Sequence, residues 1–188
     1  ETDVLLTIDR TIVIAEAKSA RLTQEGLRGA PDRVKRHVTD LVLAPSIQSE
    51  RLAKLIDDAK TGDAAAMAVA TKLELAPDKI DRVIRLSVTL DDLSVLTSAE
   101  VELKEAGWVP PDHDLAPALL ISDLGCVVDI LTNPIQVLHY LSERSFFQKG
   151  FDLLGDELDF LGLYLVTGFN LAAIQRKEMQ FVPSGMSA

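Results

Sequence analysis

The 188-residue sequence has one cysteine, Cys126, only 5% aromatic residues, and a deficit of positive charge, with 19 Lys and Arg against 29 Asp and Glu. One thiol builds neither a disulfide framework nor a cysteine-based zinc site, because both need several at set spacings. A reducing, cytoplasmic setting is the default that follows. Long hydrophobic runs are missing too: the longest uncharged apolar stretch, Phe160 to Gln175, falls short of the roughly 18 residues that cross a bilayer, so no membrane span is expected. A formal net charge of -10 and a pI near 4.7 argue against a surface that holds nucleic acid throughout, since phosphates reward Lys and Arg. A local basic face remains open. No positively charged leader or small-residue cleavage site opens the sequence, and Glu1 stands inside a strand pattern, which predicts a truncated or processed N-terminus.

What is present is the composition of a globular protein, 47% hydrophobic and 26% charged, long enough for one domain with an elaboration. Val4-Leu5-Leu6 and Thr11 to Ala15 are apolar or β-branched runs around Asp9-Arg10, which predicts a hairpin. The second run is apolar on both faces, as expected of a central strand. From Pro31 to about Lys60 the apolar residues recur at three- and four-residue steps, and Pro45 divides this region into two helices or one kinked helix. Arg82 to Leu90 and Ala118 to Ile121 read as strands, with a proline loop, Gly107 to Asp114, between them. Helices then follow: one capped by Ser122 and ending near Leu131, one opened by Pro134 and ending near Arg144, and one opened by Asp156 with Leu158, Leu161 and Leu165 on a single stripe. The expected fold class is α/β, a mixed β-sheet flanked by helices, with residues 1–121 as core and 122–188 as a helical C-terminal extension packed on it.

Three ionisable residues share one place in this pattern. If the hairpin turns on Asp9-Arg10, Ile8 pairs with Thr11, each pair of partners sums to nineteen, and Asp3 stands opposite Glu16, with Cβ atoms about 4.5–5.5 Å apart. Lys18 is two residues past Glu16 and shares its face, roughly 7 Å along the strand. A three-residue turn would shift the register by one and separate the carboxylates. Two opposed carboxylates in an apolar sheet repel one another and lose hydration. A hard divalent cation, Mg²⁺ or Mn²⁺, would relieve both, and could acidify a bound water beside a phosphate.

Glu1-Thr2-Asp3, followed across the hairpin by Ile12-Val13-Ile14-Ala15-Glu16-Ala17-Lys18, resembles the D…ExK signature of the PD-(D/E)XK nuclease superfamily, the restriction-endonuclease-like fold, and most resembles its nuclease-related (NERD-like) branch. The resemblance covers about residues 1–90. It implies that Asp3 and Glu16 bind Mg²⁺ (or Mn²⁺), that Lys18 is the catalytic lysine, and that Gln48 is the helix-borne glutamine several branches place near the site. It also implies a nucleic-acid partner, DNA foremost, and leaves a homo-oligomer open. The family's first helix, which often supplies another acidic ligand, has no counterpart in the sequence.

Lys18, Arg21, Arg28, Arg33, Lys35 and Arg36, against Glu25 and Asp32, form a basic stretch directly after the site that could hold phosphates; a solvated charged face is the alternative. His37, His113 and His139 are scattered and suggest no metal site. Cys126, among Leu124, Val127 and Val128, is expected to be buried. Asp152, Asp156, Glu157 and Asp159 read as helix-dipole acids. The function reading is a metal-dependent nuclease, with an inactive nuclease-fold interaction or regulatory module as the alternative.

Overall fold

The computed structural model describes residues 2–150 and 154–170, apart from the side chains of residues 25, 27, 94, 149 and 150. Four strands form one mixed sheet in the order β1 (Val4–Ile8), β2 (Thr11–Lys18), β3 (Arg82–Thr89), β4 (Ala118–Leu120). β1 is antiparallel to β2, and the other neighbours are parallel. Ile8 pairs with Thr11 across a two-residue turn in which Asp9 takes φ +52°, a left-handed backbone that Asp tolerates. Central β2 is buried from Ile12 to Glu16, as its two-sided apolar pattern requires.

The short helix α1 (Gln24–Leu27) is followed by a longer helical run. There α2 (Pro31–Val38) passes into α3 (Ala44–Lys60) through a wider π-type turn, Thr39–Leu43, where the Ala44 N–H donates to the Thr39 carbonyl. Pro45 explains the widening. It has no N–H to offer and its ring crowds the preceding turn, so an extra residue is accommodated just ahead of it. The alanine-rich stretch after Asp63 forms α4 (Ala64–Lys72), capped by the Asp63 carboxylate on the Ala66 N–H at 2.7 Å. Small side chains at Ala59, Ala66 and Ala70 let α3 and α4 approach closely.

Alternation in β2 sends Ile12 and Ile14 to one sheet face, where they pack with Ile56, Leu52 and Ile80 beneath α3. Val13 and Ala15, with Ile84 and Leu86 of β3, take the other face. There they meet Val127, Tyr140, Phe147 and Phe160 from α6 (Ile121–Ile130), α7 (Pro134–Gly150) and α8 (Glu157–Thr167). A third cluster, including Leu41, Leu103, Val109 and Leu115, lies under α5 (Glu100–Glu105) and the proline loop, with Trp108 packed against it. No helix among the described residues is long and apolar enough to cross a membrane.

Several local expectations are corrected. α6 follows β4 directly with Leu120 at its N-cap, so Ser122 is inside the helix. α7 runs beyond Arg144 to Gly150 because Phe147 continues its buried side. In α8 the buried residues are Glu157, Phe160, Leu161 and Leu163, whereas Leu158 and Leu165 are exposed. A helix apolar all round leaves the choice of face to its neighbours. Cys126 is exposed, since α6 turns Val127 and partly buried Leu124 to the core, with Leu131 just past its end, and Cys126 lies off that stripe. Asp156 does open α8, in a reciprocal cap with Asp159 (2.9 and 3.2 Å). Asp152 lies outside the described residues.

Candidate active site

Pairing of β1 with β2 holds the sum of nineteen from Ile8 and Thr11 back to Val4 and Ala15, and Asp3 is the next residue out. Its carboxylate reaches β2, where Oδ2 accepts the Ala17 N–H at 2.8 Å. Glu16 is fully buried, and its Oε1 accepts the Thr2 hydroxyl at 2.7 Å while Oε2 has no partner. The neighbouring strand supplies the adjacent polar group. Ser87 pairs in register with Glu16, shares its face, is fully buried, and likewise leaves its Oγ without a partner. Glu16 and Ser87 therefore form one row across β2 and β3, with Asp3 just before β1 reaching the same end and half-buried Lys18 one pair further along, beside Thr89. The row lies at the carboxyl ends of the parallel strands, the usual ligand side of an open α/β sheet.

Burial raises the Glu16 carboxyl above the ordinary carboxylate range. The Thr2 hydroxyl works against this, Asp3's charge adds to it, and Lys18 opposes it. An unpartnered buried carboxylate oxygen suits a cation. Among the described residues no cluster of three or more His, Cys, Asp or Glu side chains could hold a metal. An ion held by Asp3 and Glu16 would thus complete its shell with water or substrate oxygens, as Mg²⁺ commonly does.

Gln48 stands on the α3 face above this end of the sheet. It lines a pocket of about 280 Å³ together with Thr2, Arg51, Leu52, Leu55, Val69 and Leu73. Thr2 is common to the pocket and to the Glu16 hydrogen bond, so Gln48 neighbours the site. Arg21, Arg28, Arg33, Lys35 and Arg36 are all exposed. Their segment is folded as α1 and α2 and locked at Thr23, whose N–H donates to His37 Nε2 at 3.2 Å and whose hydroxyl accepts the Gly26 N–H at 3.2 Å. A β-carbon at Gly26 would lie 2.6 Å from the His37 ring.

Sequence reading missed a buried relay beside the site. Ser46 Oγ is 2.8 Å from His113 Nε2, and His113 Nδ1 is 3.1 Å from Glu50 Oε2. Burial raises Glu50, but Lys54, His113 and Arg85 outweigh it and hold the carboxyl below its ordinary range. An ionised Glu50 only accepts, so His113 Nδ1 donates to it. Ser46 is fully buried and its Oγ also accepts the Ala116 N–H at 2.8 Å. The relay ties the proline loop to α3. Arg85 adds to the tie by donating to the carbonyls of Ser46 and Asp114 at 3.2 and 2.9 Å. Ser46→Ala is expected to cost about 1–3 kcal/mol by urea denaturation, since it orphans the Ala116 N–H and His113. These partners lie more than 60 residues apart in sequence, and no local periodicity announces them.

Comparison with family models, curated proteins and solved structures finds no match for the chain.

Proposed function

We propose that the protein is a metal-dependent hydrolase of nucleic-acid phosphodiesters, in the manner of the PD-(D/E)XK nucleases its sequence resembles. The observation that carries this reading is the convergence of Asp3, Glu16 and Lys18 at the carboxyl end of β2, with one buried Glu16 oxygen left unpartnered. Asp3 and Glu16 are the residues to hold Mg²⁺ or Mn²⁺. When bound, such an ion supplies an acidified water and a counter-charge for the phosphate under attack. The Lys18 ammonium, on the same face, orients the water and steadies negative charge as it builds on the phosphate. The buried setting of Glu16 excludes bulk water and strengthens each of these interactions.

The experiment is cleavage of labelled single- and double-stranded DNA and RNA with Mg²⁺, Mn²⁺ or EDTA. Cleavage should vanish in EDTA and fall by about 10²-fold or more in Lys18→Ala. A second reading, an inactive module of the same fold, is favoured by one specific feature. The Thr2 hydroxyl and the Ala17 N–H already occupy one oxygen of each carboxylate. Equal silence of wild type and Lys18→Ala, with no thermal stabilisation by Mn²⁺, would establish that reading, because a ligand bound only by the native state must raise its stability.

A further inference from the structure

The pocket beside Glu16 has a composition of its own. Leu52 and Leu55 of α3 and Val69 and Leu73 of α4 make apolar walls, and Thr2, Gln48 and Arg51 form a polar rim. Gln48, Arg51, Leu52 and Leu55 lie at three- and four-residue steps, which places them along one side of α3. Arg51 is exposed, and among the described residues its guanidinium has no hydrogen bond or ion pair. Gln48 and Arg51 also line a second, shallower hollow of about 460 Å³ with Ala44 and Ile47, so the two side chains form a ridge between the hollows. Thr2 links the first pocket to the carboxylate it bonds.

We propose that this pocket receives one unstacked nucleobase of an unpaired nucleic-acid strand, with Arg51 on the adjoining phosphate. The proposal rests on the nuclease reading and names its substrate class. A volume of about 280 Å³ lies just under the range of drug-sized ligand sites, about 300–1,000 Å³, and suits one base better than a larger group. Apolar walls accept the faces of any base. A free guanidinium at the rim matches a phosphate in charge and geometry. A base inserted into a pocket of this volume has left its stack and its partner, so a duplex would have to unstack and unpair first, whereas a single strand or a frayed end enters without that cost. A chain of net charge -10 also makes a poor wrapper of duplex DNA, whose affinity comes from many neutralised phosphates.

Binding is measured by fluorescence anisotropy in EDTA at one fixed salt concentration, so that no cleavage occurs. The probes are a labelled single-stranded DNA oligonucleotide, the same strand in a duplex, the strand with abasic sites, and a 5′-mononucleotide as competitor. Wild type should bind the single strand about tenfold more tightly than the duplex or the abasic strand. Arg51→Ala and Val69→Trp, both at exposed positions, should each lose about tenfold with an unchanged melting temperature; the tryptophan fills the pocket. Competition by the mononucleotide alone, without base-dependent strand binding, would make the site a nucleotide site and overturn the proposal. Equal binding of intact, abasic and duplex probes would also overturn it. Metal-dependent cleavage that keeps its strand preference in Val69→Trp would sink the pocket but not the nuclease. Base-dependent binding without cleavage in Mn²⁺ would sink the nuclease but not the pocket.

Discussion

Glu16→Gln is expected to abolish metal-dependent cleavage, by on the order of 10³-fold or more, and at the same time to stabilise the metal-free protein by about 1–2 kcal/mol. In a chain of this length that is roughly 3–6 °C in melting temperature. The two effects have one source. Glu16 is fully buried with an unpartnered oxygen and faces the charge of Asp3, so its ionised form weakens the fold. Glutamine keeps an acceptor for the Thr2 hydroxyl, removes the charge, and brings an amide donor to the neighbourhood of the orphaned Ser87 Oγ. Stabilisation on removing a charged residue marks a group held for function, whereas a structural carboxylate would be missed. The sign with pH follows from the raised folded pKa. The unfolded chain loses this proton first as pH rises, so the stability is fully present below the ordinary carboxylate range and is lost as pH rises through the folded value. The advantage of Glu16→Gln should therefore be small in acid and widen toward neutral pH. Mn²⁺ should raise the melting temperature of wild type and leave the variant unmoved. A variant less stable than wild type at neutral pH would refute the account.

The second large effect lies on the opposite face of the sheet. Arg144→Met should destabilise the protein by about 3–5 kcal/mol, a large part of the roughly 5–15 kcal/mol that holds a domain together. Arg144 is 1% exposed; its Nε lies 3.1 Å from Glu157 Oε2, its Nη1 donates to Gln148 Oε1 at 3.0 Å, and its guanidinium carbon sits 3.4 Å above the centre of the Phe160 ring. Glu157 is buried as well and accepts a hydrogen bond from the Tyr140 hydroxyl. Without the arginine, Glu157 is a buried charge lacking its counter-ion, and that loss outweighs the net value of the pair. Adding Glu157→Gln removes the stranded charge but keeps an acceptor for Tyr140, so the double variant should recover about 2 kcal/mol of the loss in a double-mutant cycle by urea denaturation. Burial already raises the Glu157 carboxyl, against the pull of Arg144 and Tyr140. Its contribution is thus present below the ordinary carboxylate range and lost as pH rises through the folded value, more steeply in Arg144→Met. By calorimetry the whole transition should move down as one, because Tyr140, Phe147 and Phe160 share a core with Val13 and Ile84 of the sheet. Losses that simply add in the double variant would contradict this picture.

The site row and the buried network were unequally legible. The strand period of two, with a two-residue turn, is enough to put Asp3, Glu16 and Lys18 on one face, and the observed pairing has that register. Nothing local says that β3 brings Ser87 beside Glu16, because that neighbour arrives after four helices and about seventy residues. The Arg144–Glu157 pair was hidden for a related reason. Glu157 was read as an acid favoured by a helix dipole, and only the packing of α7 against α8 shows that it is enclosed with an arginine. Cys126 failed in the other direction, since an apolar neighbourhood in sequence gives no information about which side of a helix meets the core.

By itself the sequence determined the hairpin around Asp9-Arg10, the central position of β2, the break at Pro45, the cap at Asp156 and the α/β class, with the hairpin register conditional on the turn length. Each depends on interactions between residues a few positions apart, where backbone geometry leaves few choices. Tertiary structure alone decided which apolar faces are buried on α6 and α8, that Glu16 and Ser87 pair in register, how Ser46, His113 and Glu50 meet, and that Thr2, Gln48 and Arg51 border one pocket. Those outcomes depend on which distant segments pack together, and the gain from that packing is summed over the whole chain rather than encoded in any one stretch.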